Sequence, residues 1–481
     1  MSEQPHEELE AASETTQSDV VVAVLAAGHG TRMRSSIPKH LHPVAGVPIV
    51  ERVVRAGVGA GAGRTLVMVG SNLADLEDRI GSSGQFEIVV QGPPRGTADS
   101  VRIALEHSPE ARWMVSLLGD GALLTPDVVR SLIQQAKSTG SRITLLTCKV
   151  PDAATYGRIE RDEQGRVRRI VEYKNDSDEK RRGVTEINSG VMVLDAEWAR
   201  VELGRLPLDE TTGEYLLTDL VDVAVRQAGD EWPVDAYIAD ESIALAVNDR
   251  VQLAEVDDYA RRLIRERHMR AGVTIIGPNT VFIDEDVEIG PDTVIHPHTI
   301  LRGRTVIGRE CEIGPSSMVV DSTIGDGVMV MQSTVRNSSI GDGSDVGPFA
   351  HLRAGCRIGA DVHIGSYAEM KNATLGDGAK CGHVSYLGDV TVGAASNIGA
   401  GTITANFDGA GKHPTTIGEG AFVGSDSVLV APVSIGNRAR TGAGAVVTRD
   451  VPDDTLVVGV PARPARPVTT PAATPDGSSE E

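Results

Sequence analysis

The sequence predicts an α/β chain in unlike parts: a doubly wound, Rossmann-like sheet with flanking helices, a linker helix, and a left-handed parallel β-helix of six-residue repeats. Three observations carry this expectation. Aliphatic runs ending in glycine, such as DVVVAVLAAG, alternate with helix-length segments over the first half. A charged stretch with apolar residues three or four apart follows. Beyond it an aliphatic residue recurs every six positions, often with glycine after it.

At 481 residues the chain exceeds one ordinary core, and a hydrophobic share of 40% is ample for two. Aromatics are only 3%, so aliphatic side chains must fill the interior. The net charge of −21 disfavours nucleic acid and anionic membrane as partners, so any phosphate site has to be a local basic pocket. Cys148, Cys311, Cys356 and Cys381 are far apart with no CxxC pair, which suggests neither a zinc site nor a disulfide framework and fits a reducing cytoplasm. No apolar run reaches membrane-spanning length. Residues 1–18 are acidic and polar, unlike a signal peptide, and residues 463–481 are rich in Pro, Thr and Ser; both should be solvated and disordered.

The first domain is expected over residues 19–248. DVVVAVLAAG should be a buried first strand of a parallel sheet, continued by RTLVMVG, FEIVVQG, WMVSLLGD and RITLLTCKV. Helix-length segments such as PIVERVVRAGVGAG separate them, which places ligands at the carboxyl ends of the strands. In residues 249–272, Leu253, Val256, Tyr259 and Leu263 mark an amphipathic linker helix. The β-helix is expected over residues 273–462. Ile283, Ile289, Ile295, Leu301, Ile307, Ile313 and Val319 are each six apart, as are Ile340 to Ile364 and Ile417 to Val447. An α-helix cannot keep that period on one face. A coil with three short flat sides can, at about 18 residues per turn. The repeat breaks between Ile398 and Ile417, where a loop should leave the wall.

LAAGHGTRMRSSIPKHLHP follows the first strand directly. Gly28 and Gly30 let backbone N–H groups approach a ligand, and Arg32 and Lys39 add positive charge, which together make a phosphate cradle. This run resembles the signature loop of the sugar-1-phosphate nucleotidylyltransferases. With the later motifs the chain resembles their bifunctional bacterial members, over about residues 19 to 450. The resemblance implies Mg²⁺-dependent uridylyl transfer from UTP to N-acetylglucosamine-1-phosphate, releasing pyrophosphate. It assigns Leu25, Ala26, Ala27 and Gly28 to the nucleotide, Arg32 and Lys39 to catalysis on its phosphates, and Gln91, Gly96 and Thr97 to uracil. Asp120 and Asn248 fall on the magnesium positions, Asn248 also on a substrate-binding one, and Gly157, Glu172 and Asn188 on those that hold sugar and ribose. The family usually has Lys at His29, Gly-His at Ala98 and Asp99, and Val-Pro at Gly121 and Ala122; the last two pairs should lie near base and metal.

Polar residues then cluster between Arg353 and Lys412. Lys371 lies 18 residues after Arg353, one expected turn, so the two should stack about 5 Å apart as a cation pair. A sugar phosphate would relieve their repulsion, and so would a local acid such as Glu369. His383 offers a base suited to deprotonating an amine that attacks a thioester; a histidine satisfied at a corner of the prism is the other reading. These motifs resemble the acetyltransferase half of the same bifunctional family. The resemblance implies acetylation of glucosamine-1-phosphate by acetyl-CoA in a cytoplasmic homotrimer, en route to UDP-N-acetylglucosamine for peptidoglycan and lipopolysaccharide. His383 would be the general base, with Arg353, Lys371 and Tyr386 on the sugar phosphate and Asn397 on the sugar. Ala400, Asn406, Lys412, Ser425 and Ala443 would serve the coenzyme, Asn406 and Lys412 acting on a neighbouring chain. His383, Tyr386 and Asn397 fall between inward slots and should face the cation pair. Phe407 stands where Tyr is usual, and the tail VVGVPARPARPV departs from the family.

Two other readings use the same layout. One is a single-activity nucleotidyltransferase with a structural β-helix, against which His383, Lys371 and Arg353 argue. The other is a non-catalytic assembly subunit, against which Arg32, Lys39, Asp120 and Asn248 argue.

Overall fold

The computed structural model describes residues 19–467 except 29, 71–75, 77–84, 94, 154–155, 173–184, 211–212 and 230. The chain divides into two compact units, Met1–Ala260 and Arg261–Glu481. The expected leader lies outside the described residues, as does the tail from 468 onward. Among the described residues, no helix is long and apolar enough to cross a membrane.

The first unit is built on a twisted sheet. Its strands are β1 (Val20–Leu25), β2 (Arg64–Val69), β3 (Glu87–Val90), β4 (Trp113–Leu118), β5 (Ile143–Lys149), β6 (Arg158–Arg161), β7 (Val167–Val171), β8 (Glu186–Asp195) and β9 (Val234–Ala239). The order is β9-β5-β8-β4-β1-β2-β3, with the β6–β7 hairpin paired to β8. β1 runs parallel to both neighbours, and Val20 to Val24 are at most 2% exposed, as a strand covered on both faces requires. The sheet is not wholly parallel, because β8 runs antiparallel to β4 and β5. The β6–β7 hairpin lies between β5 and β8 in the chain and pairs with β8 antiparallel.

Helices α1 (Ile49–Gly59), α2 (Thr97–Glu106), α3 (Pro126–Thr139), α4 (Ala196–Leu203) and α5 (Asp219–Arg226) cover the sheet. Val50, Val53, Val54, Leu132 and Ala136 bury against Val22, Val24 and Val115 on one face, and Val101, Ala104, Leu220 and Val221 bury on the other. The chain passes from β1 to β2 on one side and returns to β4 on the other. This switch point opens a crevice at the carboxyl ends of β1 and β4.

Helix α6 (Arg250–Arg270) follows. Asp257 accepts the Ala45 N–H at 2.6 Å in the first unit, and Arg261 pairs with Asp284 at 3.0 Å in the second.

The second unit is a parallel β-helix of three walls. Ile295, Leu301, Ile313 and Val319 are fully buried, so the six-residue period is the inward-facing stack. Coil length varies: Leu301 faces Val319, Val319 faces Val335, and Met370 faces Leu387. These are steps of 18, 16 and 17 residues, because a side that turns its corner one residue early drops the period to five. Corner residues take the left-handed conformation, including Asn372 (φ 49°) and Asp389 (φ 49°), residue types whose short side chains tolerate it. The loop leaves the wall later than the sequence pattern suggests. Ile403–Ala405 is still a strand with Thr404 in the inward slot at 1% exposure, and residues 406–414 form the excursion. Residues 463–467, expected within the solvated tail, form an edge strand antiparallel to Thr455–Val458.

Candidate active sites

Ala26 N–H donates to Met68 O and Gly119 N–H to Leu25 O, both at 2.9 Å, so the loops after β1 and β4 leave in fixed directions. Leu25, Ala26 and Ala27 are largely buried, and Gly28 is exposed at the start of the loop. Arg32 is exposed in the tight turn Thr31–Met33, and Lys39 opens a second turn, Lys39–Leu41. Gly30 has φ 57°, and a Cβ there would lie 2.5 Å from Lys39 Cβ. Glycine therefore lets the loop close on the stem of Lys39.

Lys39 Nζ lies 2.6 Å from Asp120 Oδ2 and 3.4 Å from Asn248 Oδ1. The Lys39 and Asp120 side chains are 12% and 17% exposed. Three distant parts of the chain thus meet at one point. Asp120 and Asn248 also line a cavity of about 260 Å³ with Gly157, Glu172 and Asn188. The two oxygens share one cation, the Lys39 ammonium, and as a hard-oxygen pair they suit a divalent ion that keeps several waters. Among the described residues no group of three or more His, Cys, Asp or Glu could hold a metal ion.

The remaining predicted residues divide. Thr218 Oγ1 donates to Glu172 Oε1 at 3.2 Å, and a Cβ on Gly157 would lie 3.3 Å from Glu172 Oε2. Asn188 sits where the β8 register shifts, its Oδ1 accepting from Gly190 N–H at 3.1 Å. Gln91, Gly96 and Thr97 lie outside the cavity lining. Gln91 is 6% exposed and its Oε1 has no hydrogen-bond partner among the described residues. Gly96 has φ 108° and packs on Tyr215 O, where a Cβ would come within 2.4 Å; Thr97 Oγ1 accepts from Leu217 N–H at 3.1 Å.

Asp99 lies outside the cavity lining. Its carboxylate bonds Arg95 at 3.0 Å and Arg102 at 2.7 Å. Burial alone would raise its pKa, but the two guanidiniums outweigh burial and hold it below the ordinary value. Ala98 is 2% exposed, and Ala122 is fully buried with its carbonyl accepting from Arg52 Nε at 2.8 Å. Of the divergent positions only Gly121 lines the cavity, and His29 lies outside the described residues. Sequence reasoning missed Thr218, whose signal is a helix-start threonine in LLTDL, and His40. Burial first and the Lys39 charge second lower His40 to about 4, so at neutral pH it adds no charge beside Lys39.

In the second unit Leu352 faces Met370 in register, so Arg353 and Lys371 are neighbours one coil apart, at the corner before Asn372. Arg353 Nη1 bonds Glu369 Oε1 at 2.9 Å, so the local acid does engage one member of the pair. Lys371 is crowded instead: the charge of Lys412 first, a hydrogen bond with it, and then Arg353 hold its pKa below the ordinary value. Lys412 therefore stands beside Lys371 within one chain. Tyr386 faces Glu369, and a Cβ on Gly388 would lie 2.7 Å from both the Tyr386 hydroxyl and Asn406 Nδ2. A cavity of about 540 Å³ runs down this corner past Arg353 and Lys371 to His351 and Arg336, two residues the sequence reading missed.

His383 is elsewhere. It is exposed at the corner before Ser385, and Lys371 faces Gly388, so a full side of the coil separates His383 from the cation pair. The expectation that His383 faces the pair fails within one chain, because the count of 12 residues from Lys371 is not a whole turn. His383 instead begins a column. Gly401 N–H donates to Val384 O, Asp426 N–H to Ala400 O and Gly444 N–H to Ser425 O, which stacks His383, Ala400, Ser425 and Ala443 on one edge. Asn397 lies on the adjoining wall between Lys380 and Phe422.

The MobA-like NTP transferase domain family matches residues 22–173, the GMPPB C-terminal domain family residues 275–366, and the bacterial transferase hexapeptide family (six repeats) residues 414–449. The chain is 43% identical to the bifunctional protein GlmU of Caldanaerobacter subterraneus subsp. tengcongensis over 92% of its own length and 95% of the relative's. The chain belongs to the GlmU family. GlmU of Brevibacillus brevis is 41% identical over 92% of this chain and 95% of the relative, and GlmU of Synechococcus sp. 40% over 92% and 96%. GlmU-type chains pair a nucleotidyltransferase unit with a hexapeptide acetyltransferase-type unit, and both are present here.

Proposed function

We propose that this GlmU-type chain acetylates glucosamine-1-phosphate with acetyl-CoA in its second unit, and in its first unit joins the product to UTP, giving UDP-N-acetylglucosamine and pyrophosphate. The observation that carries the reading is that each unit gathers buried or crowded cations, Lys39 in one and Arg353, Lys371 and Lys412 in the other, where phosphates have to be held.

In the first reaction centre a sugar-phosphate oxygen attacks the α-phosphorus of UTP, and the bond to pyrophosphate breaks. No protein nucleophile is needed. The chain aligns two mutually repelling phosphates and neutralises the leaving group. Backbone from Leu25 to Gly28 cradles the nucleotide, and Arg32 and Lys39 hold its phosphates. The Gln91 carbonyl, without a partner among the described residues, meets the uracil N–H, beside Gly96 and Thr97. Glu172, Gly157 and Asn188 hold the sugar. Mg²⁺, held by Asp120 and Asn248, supplies positive charge for the leaving pyrophosphate when bound.

In the second centre the amine of glucosamine-1-phosphate attacks the thioester carbonyl, the C–S bond breaks, and the proton passes to the His383 imidazole as the coenzyme thiolate leaves. Arg353, Lys371 and Tyr386 hold the sugar phosphate and Asn397 the sugar. The coenzyme runs along Ala400, Ser425 and Ala443, completed by Asn406 and Lys412. Because His383 and the cation corner lie on opposite edges of one wall, a neighbouring chain closes the site, which supports a homotrimer. A fully active monomer in sedimentation would refute the trimer. Cytoplasmic residence fits four free, buried cysteines.

The deciding experiment assays both half-reactions on the wild type, Asp120→Ala and His383→Ala. Each substitution should remove one activity by about 10²-fold or more and spare the other. Acetyl transfer near wild type in His383→Ala would end the general-base assignment.

A further inference from the structure

We infer that Lys39 is the resident counter-cation of the Asp120–Asn248 site, so that a divalent ion gains full access only when a polyphosphate draws Lys39 away. The inference rests on the magnesium reading above and goes beyond it, to the order in which the site fills.

The Lys39 ammonium stands within hydrogen-bond reach of both proposed metal ligands, at 2.6 and 3.4 Å. A magnesium ion would take the same oxygens at about 2.1 Å. The ammonium and the ion would then be near neighbours in a mostly buried place, and like charges at that distance repel strongly. One must yield. The Lys39 backbone is fixed by the turn Lys39–Leu41 and by the closure of Gly30 on its Cβ, so the whole residue cannot retreat. Its outer carbons and ammonium can swing, and the place to swing to is the phosphate cradle after β1. A triphosphate there offers Lys39 a new anionic partner and frees Asp120 at the same moment. In the nucleotide-free protein the lysine therefore lowers divalent-ion affinity. By linkage, the factor by which nucleotide raises ion affinity equals the factor by which the ion raises nucleotide affinity. His40 cannot substitute as the cation, since it is neutral and buried beside Lys39.

The test uses the full chain and Mn²⁺ alone as probe, with free Mn²⁺ read by electron paramagnetic resonance and no nucleotide present. Thermal unfolding checks that each variant is folded. Lys39→Met should bind Mn²⁺ at least about tenfold more tightly than the wild type, and Lys39→Met with Asp120→Asn should lose that gain. Equal Mn²⁺ affinity in the wild type and Lys39→Met overturns the inference. If that shared binding is lost in Asp120→Asn, the metal site stands and only the role of Lys39 falls. If no variant binds Mn²⁺ and Asp120→Asn retains full uridylyl transfer, both the inference and the metal reading fall.

Discussion

Asn406 Nδ2 donates to Asp389 Oδ2 across 2.5 Å, which ties the loop of residues 406–414 to the same corner that carries Lys371. Asp389 also accepts from Asn372 Nδ2 at 2.8 Å. One carboxylate thus holds the loop, spans two coils, and partly offsets Lys412 and Lys371.

Asp389→Asn keeps a side chain that tolerates φ 49° but leaves one acceptor oxygen where two are used. The lost charge would favour phosphate slightly, while the lost anchor frees the loop, and the charge-assisted bond is the larger effect at about 1.5–3 kcal/mol. Acetyl-transfer kcat/KM should fall roughly 10-fold, with uridylyl transfer unchanged. Steady-state assay of both reactions checks this; an unaltered acetyl transfer would show that Asp389 positions nothing.

A second prediction concerns Lys371 and alkaline pH. Lys412 and Arg353 hold its pKa below the ordinary 10.5 in the free protein. A bound phosphate favours the charged form and raises that pKa again. Binding therefore takes up protons, and phosphate affinity falls as pH rises through the lowered value. N-acetylglucosamine-1-phosphate has no titrating amine, so calorimetry with it isolates the effect. Its affinity for the second unit should decline at a pH below the ordinary lysine range. Lys412→Met should move the decline to higher pH. A decline that does not move with Lys412 excludes their coupling.

These couplings mark where the sequence stopped being legible. The period-six stack through Ile295, Leu301 and Ile313 was readable because every inward residue must be apolar and the spacing is covalent. The five-residue sides after Val319 and Val330 were not, since early corners depend on how Asp321 and Gln332 adopt positive φ. Arg353 above Lys371 followed from one 18-residue coil. The separation of His383 from them did not, because the count crossed a corner. In the first unit Asp120 and Asn248 were nameable from motifs, whereas their common partner Lys39 required a fold that joins residues far apart in the chain. Asp99 shows the reverse case: a position expected near the base is consumed by Arg95, just before its helix, and Arg102, on it.

The third prediction is an acid limb in stability. His268 is 6% exposed, and burial first, then the Arg267 charge, lowers its pKa from 6.5 to about 4. A depressed histidine stays neutral when folded and takes a proton when unfolded. Its contribution is therefore complete above about 6.5 and is lost as pH falls toward about 4. The full span is about 3 kcal/mol at most, less where solvent reaches the ring. His268→Gln should flatten the fall of the unfolding temperature over this window. It should not abolish it, because His40 titrates in the same direction in the first unit. An acid limb identical to the wild type would remove His268 from the account.

The last prediction separates backbone strain from displacement of Lys39. Gly30→Ala adds a methyl group 2.5 Å from Lys39 Cβ at φ 57°, and neither atom can occupy that distance. The turn must open, and the 2.6 Å contact between Lys39 and Asp120 opens with it. A misplacement of about 1 Å at a phosphate-aligning cation costs about 10²-fold in rate. Uridylyl transfer should fall by that order, and acetyl transfer should remain within about twofold, since the change lies in the other unit. Gly140 is the control, with φ 66° after α3 and, among the described residues, nothing within 4 Å of a Cβ. Gly140→Ala carries the left-handed strain alone, about 1–2 kcal/mol of stability, and should leave both activities intact. If Gly30→Ala lowers uridylyl transfer no more than Gly140→Ala does, the closure of the loop on Lys39 has no part in aligning the phosphates.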